Sequence, residues 1–414
     1  MHFGIISPPV PGHIHPFGAL GRELIARGHR VTLFHMPDVE ERARVEGLDF
    51  VAIGARDHPV GSFPEWLAKL TRLRGLAALR FTVEAIRNAT EMLCREAPAA
   101  LREAGVGFLL ADQTEPAGRT IAEHICLPLV TICNALALNR EPSVPPPFTA
   151  WPYRDSWPAR VRNQIGYATS DLIMRPIIQV ISKYRKRWKL PEHHHPEQSF
   201  SRLAQISQQP PAFDYPRRQL PKSFHYVGPL RGPSPQAIPF PWEKLDGRPL
   251  VYASLGTLQN GREATFRCFA EACTGIGVQL VLTHGGGLDT RGASDLPGDA
   301  IVVSYAPQLE LLSRASLTLT HAGLNTVLDS LSCGVPLVAV PITYEQPAIA
   351  RRVEWCGAGR VVRFPTLNPD RLRAAVQDVL AEPRYRANAE RVRDSIQKAG
   401  GVRRAAELIE QFLR

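Results

Sequence analysis

The feature that most constrains this chain is a rhythm that runs twice. Short apolar or β-branched runs end at small or polar residues and give way to helix-period segments, the pattern of a parallel α/β sheet. In the first half it predicts strands at 2–7, 29–35, 49–54, 108–112 and 128–135; it restarts at 249–256, 278–285, 300–305, 316–321, 336–341 and 359–364. Two doubly wound sheets in tandem follow, an α/β architecture of two Rossmann-like domains with ligands at the carboxyl ends of the strands, between the domains. Ten prolines fall within residues 210–249, where they exclude regular helix and central strand. The expected organisation is a first domain over 1–225, a Pro-rich linker over 226–248, a second domain over 249–395 and a C-terminal helical segment over 396–414.

Composition narrows the function classes. At 44% hydrophobic and 21% charged residues, the chain matches a globular protein and not a disordered or integral membrane one. Seven scattered cysteines show no CxxC pair and no metal-ligand spacing, so a disulfide scaffold and a structural zinc site are not expected. The start of the chain lacks the basic and apolar regions of a signal peptide, and no apolar run approaches the ~20 residues of a membrane span. A cytoplasmic protein is expected. Of the net charge of +10, +8 lies in residues 1–240. That bias suits an anionic membrane face or nucleic acid, or serves solubility; no nucleic-acid reading motif accompanies it.

The first predicted strand runs into Pro11-Gly12-His13-Ile14-His15-Pro16-Phe17, where a dinucleotide-binding protein would carry GxGxxG. A nicotinamide dehydrogenase is thereby disfavoured. His13, and with less claim His15, becomes a general-base candidate because an imidazole titrates near working pH; packing or helix capping is the structural alternative for both. Asp112 ends another strand at the same sheet edge. Paired with His13 it would fix one tautomer and stabilise the imidazolium; alone it would cap a helix beginning near Glu115.

In the second half, Ser254-Leu255-Gly256-Thr257 follows one strand, and His321-Ala322-Gly323-Leu324-Asn325-Thr326 follows another and opens a helix at Val327. Small residues, hydroxyls and free amides at a helix N-terminus form an anion site that binds a diphosphate without a P-loop lysine. Neither loop matches the Walker pattern, so an NTPase is not expected. Asp329 is placed to accept ribose hydroxyls, and Tyr305, followed by Ala306-Pro307-Gln308, offers a ring for stacking a base and an amide for reading its edge.

The stretch Tyr305–Gln346 resembles the nucleotide-sugar signature of family 1 glycosyltransferases of the plant secondary-product type. With Pro-Gly-His-Ile-His-Pro and Asp112 it is similar to the GT-B fold over nearly the whole chain. A narrower resemblance, carried by residues 111–118 and 139–148, is to the zeaxanthin glucosyltransferases of carotenoid pathways. The resemblance implies an acceptor-binding first domain, a nucleotide-sugar-binding second domain and a last helix packed back on the first. It implies that His13 is the base and Asp112 its partner, that His321, Asn325 and Thr326 face the diphosphate, that Asp329 meets the ribose, and that Glu345 and Gln346 hold the sugar hydroxyls. Ser254, Gly256, Thr257, Tyr305, Ala306, Gln308 and Gly323 complete the donor set. This chain has Tyr305 where the signature has tryptophan, Asp329 for its glutamate and Glu345 for its aspartate, and it is two residues shorter between Gln308 and His321.

The expected reaction is an inverting transfer of glucose from UDP-glucose to a hydroxyl of an apolar acceptor, a carotenoid such as zeaxanthin. UDP-glucose is a co-substrate; no cofactor and no metal are expected, because no DxD-type site is evident and the helix terminus with His321 would stand in for a cation. A transferase acting on a polyketide, macrolide or other secondary metabolite, a nucleotide-sugar epimerase and a catalytically silent binding subunit are the alternatives. Two basic, aromatic-bearing stretches, 183–189 and 66–79, are candidates for peripheral contact with an anionic membrane face, against the alternative of solvated helix faces. His193-His194-His195 reads as a surface loop and not as a metal site.

Overall fold

The computed structural model describes residues 1–233, 237–256, 262–289, 292 and 295–413; Thr257, among the expected donor residues, lies outside the described residues. Two all-parallel sheets carry the chain. The first has the order β3-β2-β1-β4-β5-β6-β7, with β1 His2–Ile6, β2 Arg30–His35, β3 Asp49–Ala52, β4 Phe108–Asp112, β5 Leu129–Cys133, β6 Ala204–Ser207 and β7 Phe224–Tyr226. The second has the order β10-β9-β8-β11-β12-β13, with β8 Leu250–Ser254, β9 Gln279–Thr283, β10 Ile301–Val303, β11 Ala315–Thr320, β12 Leu337–Ala339 and β13 Gly359–Val361. Strands β4, β5, β8 and β9 are buried at every residue, which is why they read as unbroken apolar runs.

The sequence pattern misses β6 and β7. Half of β6 is polar, yet all of it is buried, because its polar groups find partners: Asn139 donates to Gln205 Oε1 at 2.9 Å, and the Gln209 N–H to Ser207 Oγ at 3.2 Å. Strand β7 is three residues long and lies at the sheet edge inside the proline-rich stretch, the one strand position that such a composition leaves open.

In each sheet the strand order reverses at the centre, between β1 and β4 and between β8 and β11. Ligand crevices form outside the carboxyl ends at such switch points. His13 follows β1 and Asp112 ends β4; Ser254 ends β8 and His321 follows β11. The last helix, Gly401–Glu410, puts Ala405, Ala406, Leu408 and Ile409 into the same core as Phe3, Leu20 and Leu24. Its Glu410 carboxylate accepts from Arg27 and His29, each at 3.0 Å.

The basic stretch 183–189 lies at and just beyond the end of the helix Trp157–Arg187, with Lys183, Lys186, Arg187 and Lys189 exposed and Arg185 turned inward. Arg185 is buried on Glu123 at 2.6 Å and Thr120 at 3.0 Å, and Lys183 pairs with Glu91 at 2.8 Å. Trp188 stacks on His124 at 3.9 Å. Tertiary contacts have drawn its central arginine and its aromatics inward. The His193 ring is likewise tucked in, with both nitrogens buried, whereas His194 and His195 are exposed. Among the described residues no helix is long and apolar enough to cross a membrane.

Candidate active site

The helix Pro11–Ala26 begins at Pro11, whose missing N–H costs nothing in a first turn, and this puts His13 at the mouth of the crevice. A second proline, Pro16, lies inside the helix and has no N–H to offer the Gly12 carbonyl four residues back. That carbonyl accepts instead from Asn325 Nδ2 of the second domain, at 2.8 Å. A helix irregularity written in the sequence thus becomes a joint between the two domains.

His13 Nδ1 donates to Asp112 Oδ2 at 2.7 Å. Asn134 Nδ2 donates to the same oxygen at 2.9 Å, and Thr114 N–H and Oγ1–H hold Asp112 Oδ1 at 2.8 and 2.6 Å. Asp112 therefore turns onto its own loop and does not cap a helix; the next helix begins only at Ala117. Burial disfavours charge on His13, but the Asp112 carboxylate beside it outweighs burial and, with Glu345 adding to it, holds the imidazole above its ordinary 6.5. Burial acts on Asp112 in the raising direction, and the charge and hydrogen bond of His13 reverse it, so that Asp112 stays an anion. With Nδ1 committed to Asp112, Nε2 is the nitrogen left for a substrate proton. His15 takes no part: it is bonded to Glu46, which also accepts from Arg22 at 2.6 Å.

Across the crevice, the helix after β11 spans Leu324–Ser332, three residues earlier than the sequence suggests. Gly323 is therefore its N-cap, and the N–H groups of its first turn lack intrahelical acceptors. Ala322 just before it and Tyr344 just before Glu345 are non-glycine residues held at φ +66° and +54°, strain of the kind that collects at functional loops. His321 is wedged between two glycines. A Cβ on Gly256 would lie 2.7 Å from its ring and one on Gly323 2.6 Å. Burial lowers the His321 pKa to about 4, so this imidazole is neutral at working pH and offers a hydrogen bond beside the helix terminus.

Of the remaining donor residues, Asp329 and Gln308 share one network. Asp329 accepts from Arg231 Nε at 2.6 Å and from Gln308 Nε2 at 2.7 Å, and Gln308 Oε1 accepts from Tyr252 at 3.0 Å. Asn325, expected to face phosphate, points its side chain into the first domain, where its Oδ1 also accepts from Gln208 at 3.4 Å. Thr326 and Ala306 are buried, and Ser254 Oγ accepts from the Gly256 N–H at 3.2 Å. Gln346 Oε1 ties the loop before it, accepting from the N–H groups of Ile342 and Thr343 at 2.9 Å each. Tyr305 is 57% exposed, with its hydroxyl on the Gly285 carbonyl at 3.2 Å, so its ring is open for stacking.

Asn134, Thr114, Glu115, Gln208 and Arg231 are residues that sequence reasoning missed. Asn134 follows β5 at the same carboxyl edge, the positional signal that singled out Asp112. Glu115 carries no such signal; burial and the Asp112 charge raise its pKa to about 8, which keeps it neutral at pH 7. Among the described residues no group of three or more His, Cys, Asp or Glu side chains is placed to hold a metal ion.

Comparison with known proteins bears on this geometry. The family model described as UDP-glucoronosyl and UDP-glucosyl transferase matches residues 82–398, and that of the glycosyltransferase family 28 N-terminal domain matches residues 11–105. The chain is 36% identical to a zeaxanthin glucosyltransferase of Pantoea ananas, over 100% of this chain and 96% of that protein. It is 37% identical to one of Pseudescherichia vulneris, over 100% and 98%. Among solved structures, the glycotransferase of kitacinnamycin superposes with a TM-score of 0.77 at 24% identity, covering 100% of this chain and 99% of that one. The glycosyltransferase VinC in complex with DTDP superposes with a TM-score of 0.71 at 20% identity, covering 99% and 98%. At those identities the structures speak for the fold.

Proposed function

Because the chain belongs to the UDP-glucoronosyl and UDP-glucosyl transferase family, with the GT-B fold, we propose that it moves glucose from UDP-glucose to a hydroxyl of zeaxanthin or a similar carotenoid, with inversion. The family makes it a transferase that joins a nucleotide-sugar donor to an acceptor. The finer reading rests on the full-length likeness to two zeaxanthin glucosyltransferases. The observation that carries the chemistry is the His13–Asp112 pair at 2.7 Å, facing a helix N-terminus across a crevice that Asn325 and Gly12 bridge.

In this reading His13 Nε2 takes the proton of the acceptor hydroxyl, and the oxygen forms its bond to the anomeric carbon as the bond from that carbon to the diphosphate oxygen breaks. Nucleotide diphosphate leaves with the electron pair onto the first-turn N–H groups of helix Leu324–Ser332, where the helix dipole favours the anion. Attack opposite the leaving group gives a β-glucoside from an α-linked donor. Asp112 keeps the Nδ1–H tautomer and stabilises the imidazolium. Glu345, whose charge reaches His13, and Gln346 hold the sugar between the two domains. Tyr305 stacks the base, and Asp329 meets the ribose from the Arg231–Gln308 network. No metal is required in this scheme, because the helix terminus supplies the electrostatic stabilisation; undiminished turnover in EDTA is expected.

The test is a product assay with UDP-glucose and zeaxanthin in detergent or liposomes, read by mass spectrometry with His13→Ala as control. A gain of one or two hexoses with wild type, reduced about 10²–10⁴-fold in rate by the substitution, supports the reading. Hydrolysis of UDP-glucose without a glycosylated product retains the donor and removes zeaxanthin as acceptor.

A further inference from the structure

One residue past β6, at the carboxyl edge that also carries His13 and Asp112, Gln208 is fully buried, and the chemistry above gives it no role. Its backbone N–H extends the β5–β6 pairing by one step, donating to the Cys133 carbonyl at 3.3 Å. Its side chain reaches the place where the first domain, the proline-rich joint and the second domain meet. There Nε2 donates to the Asn134 carbonyl at 3.2 Å and to Asn325 Oδ1 at 3.4 Å, while Oε1 accepts from the Leu230 N–H and from Arg231 Nη1, each at 3.2 Å. A primary amide has two N–H donors and one oxygen with two lone pairs, so every position on this one is taken. Its orientation is fixed as well, because the Leu230 N–H can only donate and the Asn134 carbonyl can only accept.

Each partner leads on to the site. Asn134 donates through Nδ2 to Asp112 Oδ2 at 2.9 Å and to the His13 carbonyl at 3.4 Å. Asn325 donates to the carbonyl of Gly12, the residue before His13, at 2.8 Å. Arg231 holds Asp329 Oδ1 through Nε at 2.6 Å, and its Nη1 is shared between Gln208 and the Leu230 carbonyl at 3.0 Å. Two branches therefore run from one amide to the His13–Asp112 pair, and a third runs to the carboxylate placed for the ribose. The reacting groups lie in different domains, and a misplacement of about 1 Å between such groups costs on the order of 10²-fold in rate. A saturated, fully buried amide that bonds to both sides is suited to setting that distance.

We propose that Gln208 is a positioning residue for sugar transfer: it registers the His13–Asp112 pair against Asp329, so that a nucleotide sugar held in the second domain presents its anomeric carbon to the base in the first. The proposal rests on the reading of the protein as a UDP-sugar transferase. Gln208 acts through Asn134 and Asn325 on one side and through Arg231 on the other. Two substitutions separate those sides. Glutamate has the same shape and keeps the bonds at Oε1, with the one to Arg231 now charge-assisted, but it sets lone pairs against the Asn134 carbonyl and Asn325 Oδ1. Methionine keeps the volume and loses all four bonds.

The test compares Gln208→Glu and Gln208→Met with wild type by UDP titration calorimetry and by turnover of UDP-glucose, read as transfer to zeaxanthin or, where no glycosylated product forms, as hydrolysis. Circular dichroism confirms that folded protein is assayed. Gln208→Met is expected to weaken UDP binding roughly three- to tenfold and to lower kcat about ten- to hundredfold. Gln208→Glu is expected to lower kcat to a similar extent while UDP affinity stays within about twofold of wild type. A side chain that only filled space would behave otherwise: methionine would leave both UDP affinity and kcat of the folded protein unchanged. Wild-type UDP affinity in Gln208→Met, or wild-type kcat in Gln208→Glu, overturns the proposal; should Gln208→Glu not fold, the UDP affinity of Gln208→Met decides alone. Failure of the transferase reading shows separately, as a wild-type protein that neither transfers nor hydrolyses UDP-glucose, and it takes the proposal with it.

Discussion

In the proposed reaction one proton on His13 separates a working base from an idle one. Burial pulls its pKa down, but Asp112, followed by Glu345, holds it above 6.5. A base acts when deprotonated, so turnover is expected to fall as pH drops through that raised value. Asp112→Asn removes the charge that does the raising: the acid limb of the kcat profile should move to lower pH while kcat falls by about 10²–10⁴. An unmoved limb in the variant would remove Asp112 from its role. At Gly256 the constraint is steric. Its φ is +68° and an added Cβ would meet His321 at 2.7 Å, so Gly256→Ala is expected to weaken UDP binding about tenfold, read by titration calorimetry. His13 and Asp112 were legible because strand-end position and residue type suffice to single them out. The neutral state of His321 was not, because it depends on what packs around the ring.

Among the elements, the helix Pro11–Ala26 shows how a local rule acquires a distant use. Pro16 frees the Gly12 carbonyl, and the helix Leu324–Ser332 occupies it through Asn325. Asn325→Ala leaves that carbonyl without its partner, and a stability loss of about 1 kcal/mol is expected, checked by thermal unfolding without ligand. The proline was visible in the sequence; its partner, 313 residues away, was not. The helix Trp157–Arg187 teaches the reverse lesson. Its basic end reads as one charged stripe, yet Arg185 is 1% exposed while Lys183, Lys186 and Arg187 face outward, because helical periodicity reports which residues share a face but not which neighbour covers it. β6 escaped the pattern for a related reason: buried polar side chains that satisfy one another look like a loop.

The whole molecule is two sheets locked by contacts between them. Asp214 of the first domain accepts from Arg352 of the second at 3.1 Å and from Arg217 at 3.0 Å, all three buried, with the Arg352 guanidinium over the Tyr215 ring at 4.3 Å. Removing one partner of such a cluster strands the others, so Asp214→Ala is expected to cost about 3–5 kcal/mol, seen as a lowered melting temperature. Asp214 is held below the ordinary carboxylate range, where burial alone would raise it, by Arg217 and Arg352. Its contribution is therefore present above the unfolded pKa and lost as pH falls through the folded one. The sequence by itself determined the doubled α/β rhythm, the proline-rich joint, the base candidate at one strand end and its acidic partner at another, and the glycine-bounded loop at a helix start. These are local patterns, decided by residues within a few positions of one another. Only the tertiary structure decided that His13 and Asp112, 99 residues apart, meet at 2.7 Å, that His321 and Glu115 are neutral, and that Asp329 is braced by Arg231. Each of these depends on burial or on a partner far along the chain, and charge state, hydrogen bonding and exposure are set by that three-dimensional neighbourhood.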